Sequence, residues 1–267
     1  MLGRTGKHLT KAIILIISAA FILSIAVYFI YPDVSKLKKE NPKKTAFMVY
    51  REKQWKEDGK KIMIHQSWVP LSRISNYMTK AVIIAEDDKF WSHGGFDFEA
   101  MEKSFEKDIK AEKFKFGGST ISQQLAKNLF LNPSKNPLRK IKEAILTWRL
   151  EKNLSKRRIL ELYLNVAEWG DGIFGIEAAA RHYYGKPAAN LSAEEAAHLA
   201  AVLPNPRKYN PTGPSHYVNN RSRIIYEIMV KRGIVVEEYE DVMKSPDDSD
   251  TEQPSPPLID RMTAPAK

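Results

Sequence analysis

Apolar positions are spread unevenly along the chain. Residues 12–31 form one uncharged run, mostly Ile, Leu, Ala, Val and Phe, and about 20 such residues are what an α-helix needs to cross the hydrocarbon of a bilayer. No small-x-small cleavage site follows Tyr31, so the run reads as an uncleaved signal anchor. Arg4, Lys7 and Lys11 precede it and favour a cytoplasmic tail over residues 1–11, although Lys36, Lys38 and Lys39 follow. The remainder then faces the extracytoplasmic side. Residues 32–45 have the look of a polar linker. Phe47 to Tyr50 and Lys61 to Val69 read as extended or irregular segments around the turn signal Asp58-Gly59. From Leu71 onward the pattern is helical almost throughout. Met78 to Ala85 is apolar and ends on acidic residues. Thr120-Ile121-Ser122-Gln123 is a capping box opening a helix to about Leu131. Asn136-Pro137 supplies a cap and a first-turn proline for a helix to about Lys152. Ser155 caps the next, to about Val166. Ser192 opens another with a second capping box, to about Leu203, and His216 to Arg232 is a further helix. The tail 244–267 is rich in Pro, Asp and Ser and reads as disordered. The expected architecture is mainly α: one helical domain over residues 46–243 behind one transmembrane helix.

Composition narrows the chemistry. The chain of 267 residues has no cysteine, which excludes a disulfide framework, a Cys-ligated zinc site, an iron–sulfur cluster and a thiol nucleophile. Lys plus Arg is 42 and Asp plus Glu is 32, a net charge of 42 − 32 = +10. That excess points to an anionic partner: nucleic acid, phospholipid headgroups or a phosphorylated substrate.

Four segments carry candidate chemistry. In Glu86-Asp87-Asp88-Lys89-Phe90-Trp91-Ser92-His93-Gly94-Gly95, an apolar helix delivers carboxylates to its end. Partial desolvation there raises a carboxylate's proton affinity and suits a general base or acid; a solvated helix end beside a turn explains the same residues. In Gly117-Gly118-Ser119-Thr120-Ile121-Ser122-Gln123-Gln124-Leu125-Ala126-Lys127-Asn128, a helix opens with free backbone N–H groups that attract anions. Gln124 and Lys127 share one face of that helix, with Asn128 beside them, and can present donors to a phosphate or sugar. Lys127 comes too late after the glycines for a Walker loop. Arg139-Lys140-Ile141-Lys142-Glu143 is explained by ordinary surface ion pairs, or by a cationic cluster for a diphosphate with one carboxylate to orient it or hold a metal. In Lys156 to Asn165, Glu161 and Asn165 align one turn apart, as structural support.

Together these segments are far more specific than each alone. Glu-Asp-x-x-Phe-x-x-His-x-Gly, Gly-Gly-Ser-Thr-Ile-x-Gln-Gln-x-x-Lys-Asn, Arg-Lys-x-x-Glu and Ile-Leu-Glu-x-Tyr-Leu-Asn occur in order, followed by Ala180-Arg181-His182-Tyr183-Tyr184-Gly185-Lys186 and Leu203-Pro204-Asn205-Pro206. The pattern resembles the peptidoglycan glycosyltransferases of glycosyltransferase family 51, over about residues 71 to 211. Ser122 stands where the family usually has Thr, and Tyr184 where Phe is common. The Lys-Thr-Gly of a transpeptidase domain is absent.

The resemblance implies a lysozyme-like helical fold and polymerisation of lipid II, a disaccharide-peptide on undecaprenyl diphosphate, into β-1,4 glycan strands by an inverting displacement. It makes Glu86 the general base, with Asp87 in support and Glu143 as the second essential carboxylate. It gives Thr120, Gln124, Lys127, Arg139 and Lys140 to the diphosphate and sugar, and leaves Phe90, His93 and Asn128 as supporting residues. It implies a divalent metal, Mg²⁺ or Mn²⁺, without fixing its ligands. The implied partners are lipid II, the nascent glycan, the bacterial inner membrane and other cell-wall synthesis or division proteins, with no nucleic acid. Lys110 to Phe116 mixes basic and aromatic residues and is expected either to dip into the headgroup region as a flap or to be a solvated loop. Two other readings compete: a lytic muramidase of lysozyme type, which has no diphosphate to hold, and an inactive cell-wall scaffold, which has no need of Glu86 and Glu143.

Overall fold

A computed structural model describes residues 2–110, 118–133 and 136–236. The expected disordered tail, the domain limit at 243 and residues 111–116 of the expected flap lie outside the described residues. The first helix, α1 (Leu2–Ile30), contains an apolar stretch, Lys11–Tyr28, with a mean hydropathy of 2.3 and no buried residue. Pro32, which cannot donate a helical hydrogen bond, follows its end. Residues 32–45 are docked against the domain rather than free as a linker. Val34 and Leu37 are buried in the main core, and the Arg158 guanidinium donates to the carbonyls of Leu37 and Glu40. Two apolar side chains in a polar stretch are too weak a signal to predict such docking.

The segment Phe47 to Tyr50 is helical, not extended. It belongs to α2 (Ala46–Glu57), started by Thr45, whose hydroxyl accepts from the Met48 N–H at 3.1 Å. Methionine takes the place that glutamate or glutamine holds in the usual capping box, so the start is hard to read. Lys61 to Val69 is extended or irregular as expected, and from Leu71 to Lys231 the elements are helices apart from two short strands. Strands β1 (His65–Gln66), β2 (Glu168–Gly170) and β3 (Ile173–Phe174) form a sheet in the order β1-β3-β2, with β1 parallel and β2 antiparallel to β3. Strands of two or three residues are too short to show alternation. Trp55, Met48 and Phe174 close a small core between α2 and the sheet. Trp55 Nε1 donates to Asp171 at 2.9 Å, and Arg51 pairs with the buried Glu168 at 2.7 Å.

The main core joins α3 (Asn76–Glu86), α5 (Ile121–Phe130), α6 (Pro137–Asn153), α7 (Lys156–Val166), α8 (Ile176–Tyr184), α9 (Ala193–Val202) and α10 (His216–Lys231). Each fully buried Leu or Ile contributes about 1.5–3 kcal/mol. Five buried alanines on α9 (Ala193, Ala196, Ala197, Ala200 and Ala201) let α3 and α10 pack closely against it. The caps at Thr120, Asn136, Ser155 and Ser192 sit where the sequence puts them. Asn165 at the end of α7 is fully buried, donates to the Val69 carbonyl and accepts from the Val69 N–H, while Glu161 accepts from the Leu71 N–H. The structural role expected of this pair is the one they have: they clamp the chain entering α3.

Candidate active site

Helix α3 ends at Glu86, α4 (Phe98–Lys110) follows a glycine-containing loop, and α5 begins at Ile121. The junction of α3 and α5 is built by Asp87. One of its oxygens accepts from the Ile121 N–H at 2.9 Å, at the positive end of α5, and the other meets His93 Nε2 at 2.7 Å. The Gly95 N–H donates to His93 Nδ1 at 3.0 Å, so the imidazole proton sits on Nε2 and donates to Asp87. Both Asp87 oxygens are thus engaged, which makes it a positioning residue for Glu86. Gly95 has a φ of +98°, and a Cβ there would lie 2.8 Å from Glu151 Cγ, so this turn needs glycine. Phe90 is fully buried under the loop, edge-on to His93, with the Lys156 ammonium 4.5 Å from its ring centre.

Glu86 is the group this frame presents. Its Oε2 accepts from Gln124 Nε2 at 2.8 Å, while Oε1, though buried, has no hydrogen bond and lies 3.5 Å from Arg221 Nη2. Burial pushes the carboxyl above the ordinary glutamate range; Gln124, Arg221 and Lys127 pull it back, and Asp87 adds to the rise. Glu86 lies on the wall of an open cleft of about 290 Å³, also lined by Lys89, Asp97, Lys103, Ser119 and Thr120.

The Gln124 and Thr120 side chains are both engaged within the protein. The Thr120 hydroxyl donates to the Gly95 carbonyl at 2.7 Å and accepts from the Gln123 N–H at 3.2 Å, closing the α5 cap. The Gln124 amide is held between Glu86 and Tyr163, whose hydroxyl donates to its Oε1 at 3.1 Å. Asn128 is buried on the same helix.

The cations lie one turn along α5 and across on α6. Burial lowers the proton affinity of the Lys127 ammonium, Glu143 and Glu86 raise it, and Lys140 and Arg139 lower it, so all five charges share one field. Glu143 is buried and accepts from Arg139 at 2.9 Å and from Lys140. A protein-built cage for Mg²⁺ or Mn²⁺ does not fit these residues. Both Glu143 oxygens face cations, and among the described residues no three His, Cys, Asp or Glu side chains converge. A divalent ion would have to take its other ligands from the substrate's phosphates.

Two residues of the site escaped the sequence. Arg221 on α10 reaches Glu86 and also donates to the Ala85 carbonyl at 3.0 Å. Tyr163 on α7 is fully buried, and burial with the nearby Glu86 and Asp87 raises its hydroxyl well above an ordinary tyrosine. Its proton therefore stays on and fixes which end of the Gln124 amide faces Glu86. Replacing Tyr163 by Phe should free that amide to turn. We expect turnover to drop roughly tenfold, the loss of one hydrogen bond to a polar network, with the acid limb of the pH–rate profile moved upward. An unmoved limb would leave Tyr163 a packing role only.

A buried, incompletely bonded carboxylate near Arg221 and Lys127 suits proton transfer, and the neighbouring Arg139 and Lys140 suit an anionic group. Residues 57–230 match the family model described as Transglycosylase, and the chain belongs to that family. The relatives it resembles narrow this further. It is 46% identical over 219 residues to the biosynthetic peptidoglycan transglycosylase of Nitrosospira multiformis, covering 80% of this chain and 95% of that protein. It is 50% identical over 185 residues to the protein of the same name from Dechloromonas aromatica, covering 69% and 80%. With that from a Janthinobacterium species it shares 44% over 216 residues, covering 81% and 93%.

Proposed function

We infer that the protein is a peptidoglycan glycosyltransferase that polymerises lipid II into β-1,4 glycan strands and releases undecaprenyl diphosphate. The observation that carries the chemistry is the buried Glu86 Oε1, which makes no hydrogen bond, with Arg221 and Lys127 as its cationic neighbours and Lys127 in turn near the Arg139, Lys140 and Glu143 cluster. In this reading Glu86 takes the proton from the 4-hydroxyl of the acceptor sugar as that oxygen bonds to C1 of the donor. The C1–O bond to the diphosphate breaks on the opposite face, and its electron pair leaves with the phosphate oxygen. One displacement inverts the α linkage to β. Lys127, Arg139 and Lys140 hold the charge that develops on the diphosphate, and Glu143 keeps Arg139 and Lys140 aimed. Gln124, held by Tyr163, and Asp87, held by His93 and the α5 N-terminus, fix the base.

The substrates are lipids, and α1 is long and apolar enough to span a bilayer. The reading therefore includes a single-pass protein of the bacterial inner membrane, N-terminus inside, with the site on the outer side among other cell-wall synthesis or division proteins. A muramidase shares the lone glutamate but has no diphosphate for the cations to meet.

Full-length protein in detergent, given lipid II, should yield a ladder of glycan strands on a gel. Solubilised peptidoglycan with no ladder would point to the muramidase, and neither product to a scaffold.

A further inference from the structure

Helices α3 and α10 leave a groove of about 510 Å³ between them, lined by Ile84, Ala85, Tyr217, Arg221, Ile224 and Ile228. Ile84 and Ala85 also line the cleft of Glu86, so the two hollows adjoin. Large apolar side chains stay uncovered here: Ile224 is 50% exposed and Tyr217 39%. Tyr217 stacks on Tyr209, with ring centres 4.3 Å apart, and adds an aromatic wall. The groove holds the cation Arg221, and no carboxylate lines it among the described residues. Such a surface suits an extended peptide with apolar side chains and a negative charge, and proline-rich segments bind aromatic-lined grooves of this kind.

The chain itself carries such a peptide. Helix α10 ends at Lys231, and Arg232 grips Asp88 on the wall of the Glu86 cleft. Gly233, at a φ of +66°, turns the chain back: its N–H donates to the Val230 carbonyl and the Ile234 N–H to the Met229 carbonyl, both at 2.9 Å. Val235 is buried in the main core, and Val236, the last described residue, is exposed. Residues 237–267 hold nine acidic and three basic side chains, 3 − 9 = −6, so residues 1–236 carry 10 + 6 = +16. That contrast draws the segment onto the body of the protein. Within residues 244–267, the apolar pair Leu258-Ile259 follows Pro254, Pro256 and Pro257 and precedes Asp260. Proline fixes φ, so such a stretch loses little freedom on binding. From Val236 to Leu258 the chain can extend roughly 70 Å, against roughly 24 Å for the length of α10, so its reach is ample.

We propose that residues 254–260 fold back along α10 and dock in this groove, with Leu258 and Ile259 on its apolar floor and Asp260 toward Arg221. Docked there, the segment narrows entry to the adjoining Glu86 cleft. The docking does not depend on which reaction that cleft performs; only its effect on substrate entry rests on the proposed function.

The absence of native cysteine allows a direct test in the full chain. Asn220→Cys, in the groove, is combined with Met262→Cys, just past the docked residues, and both are spin-labelled in detergent. Electron–electron double resonance then reads the distance between them. The expected result is a short, narrow distance distribution that broadens when Leu258 and Ile259 are both changed to Ser. A distribution that is broad from the start, or that the two serines leave unmoved, would overturn the docking. A short distance that vanishes on dilution with unlabelled chain would give the groove to the tail of a second copy, and would overturn it too. Without labels, the change of Leu258 and Ile259 to Ser should lower the KM for lipid II several-fold and leave kcat unchanged. An unchanged KM would overturn the narrowing of entry. Absence of polymer from every form would count against the proposed reaction, while the distances still decide the docking.

Discussion

Glu86→Gln should remove glycan polymerisation, by on the order of 10²–10⁴-fold for a lost general base, and yet give a protein that is no less stable. The amide still accepts from Gln124 but cannot take a proton from the acceptor. The stability follows from linkage. Burial raises the Glu86 carboxyl above its unfolded value, so the folded state favours its protonated form. The stabilisation from that preference is complete below the ordinary glutamate range and is lost as pH rises through the raised value. At neutral pH the wild type carries a buried, under-bonded carboxylate that the amide does not. Melting temperatures of the two proteins should therefore converge in acid and separate at neutral pH, with Glu86→Gln the higher. The wild-type rate should fall on the acid side at a pH above the ordinary glutamate range, because the base must be ionised. Ladder formation by Glu86→Gln at wild-type rate would place the base elsewhere.

Lys127→Met should produce the other large loss, about 10²–10³-fold in kcat, the usual effect of removing a group that stabilises developing charge in a shielded site. Lys127 is half-buried, whereas the Lys140 side chain is 53% exposed and its charge is screened by water. Changing Lys140 should therefore matter less. Lys127 also pulls the Glu86 carboxyl down, so its removal should move the acid limb of the rate profile to higher pH. A loss confined to KM, with the acid limb unmoved, would mean that Lys127 only binds substrate.

The parts of this site that could be read in the sequence are those governed by neighbours in the chain. Thr120 with Gln123, and Ser192 with Glu195, announce helix starts because both members of each box lie within one turn. The carboxylate at the end of an apolar helix, and the pairing of Arg139 with Glu143, are local in the same way. What could not be read depends on where distant segments meet. Tyr163 reaches Gln124 across 39 positions, and Arg221 reaches the end of α3 from the last described helix. Thr120 and Gln124 show the converse: their donors are visible in the sequence, but the protein partners they meet are not. The short sheet and the docked segment before α2 escaped for a third reason, since each depends on two or three side chains whose burial is decided by the whole core.

The order in which the chain is made gives Arg221 a further meaning. A polypeptide leaving the ribosome and crossing the membrane would present Glu86, Lys127 and Glu143 well before α10 arrives. Until then α3 lacks the helix that covers one of its flanks, and Glu86 lacks its arginine, as Asp88 lacks Arg232, which grips it from the end of that helix. The last helix thus acts as a keystone. A nascent chain stalled short of it holds Glu86, Lys127 and Glu143 but not their final arrangement, so on the proposed reading premature termination would leave an inert fragment rather than an unregulated polymerase.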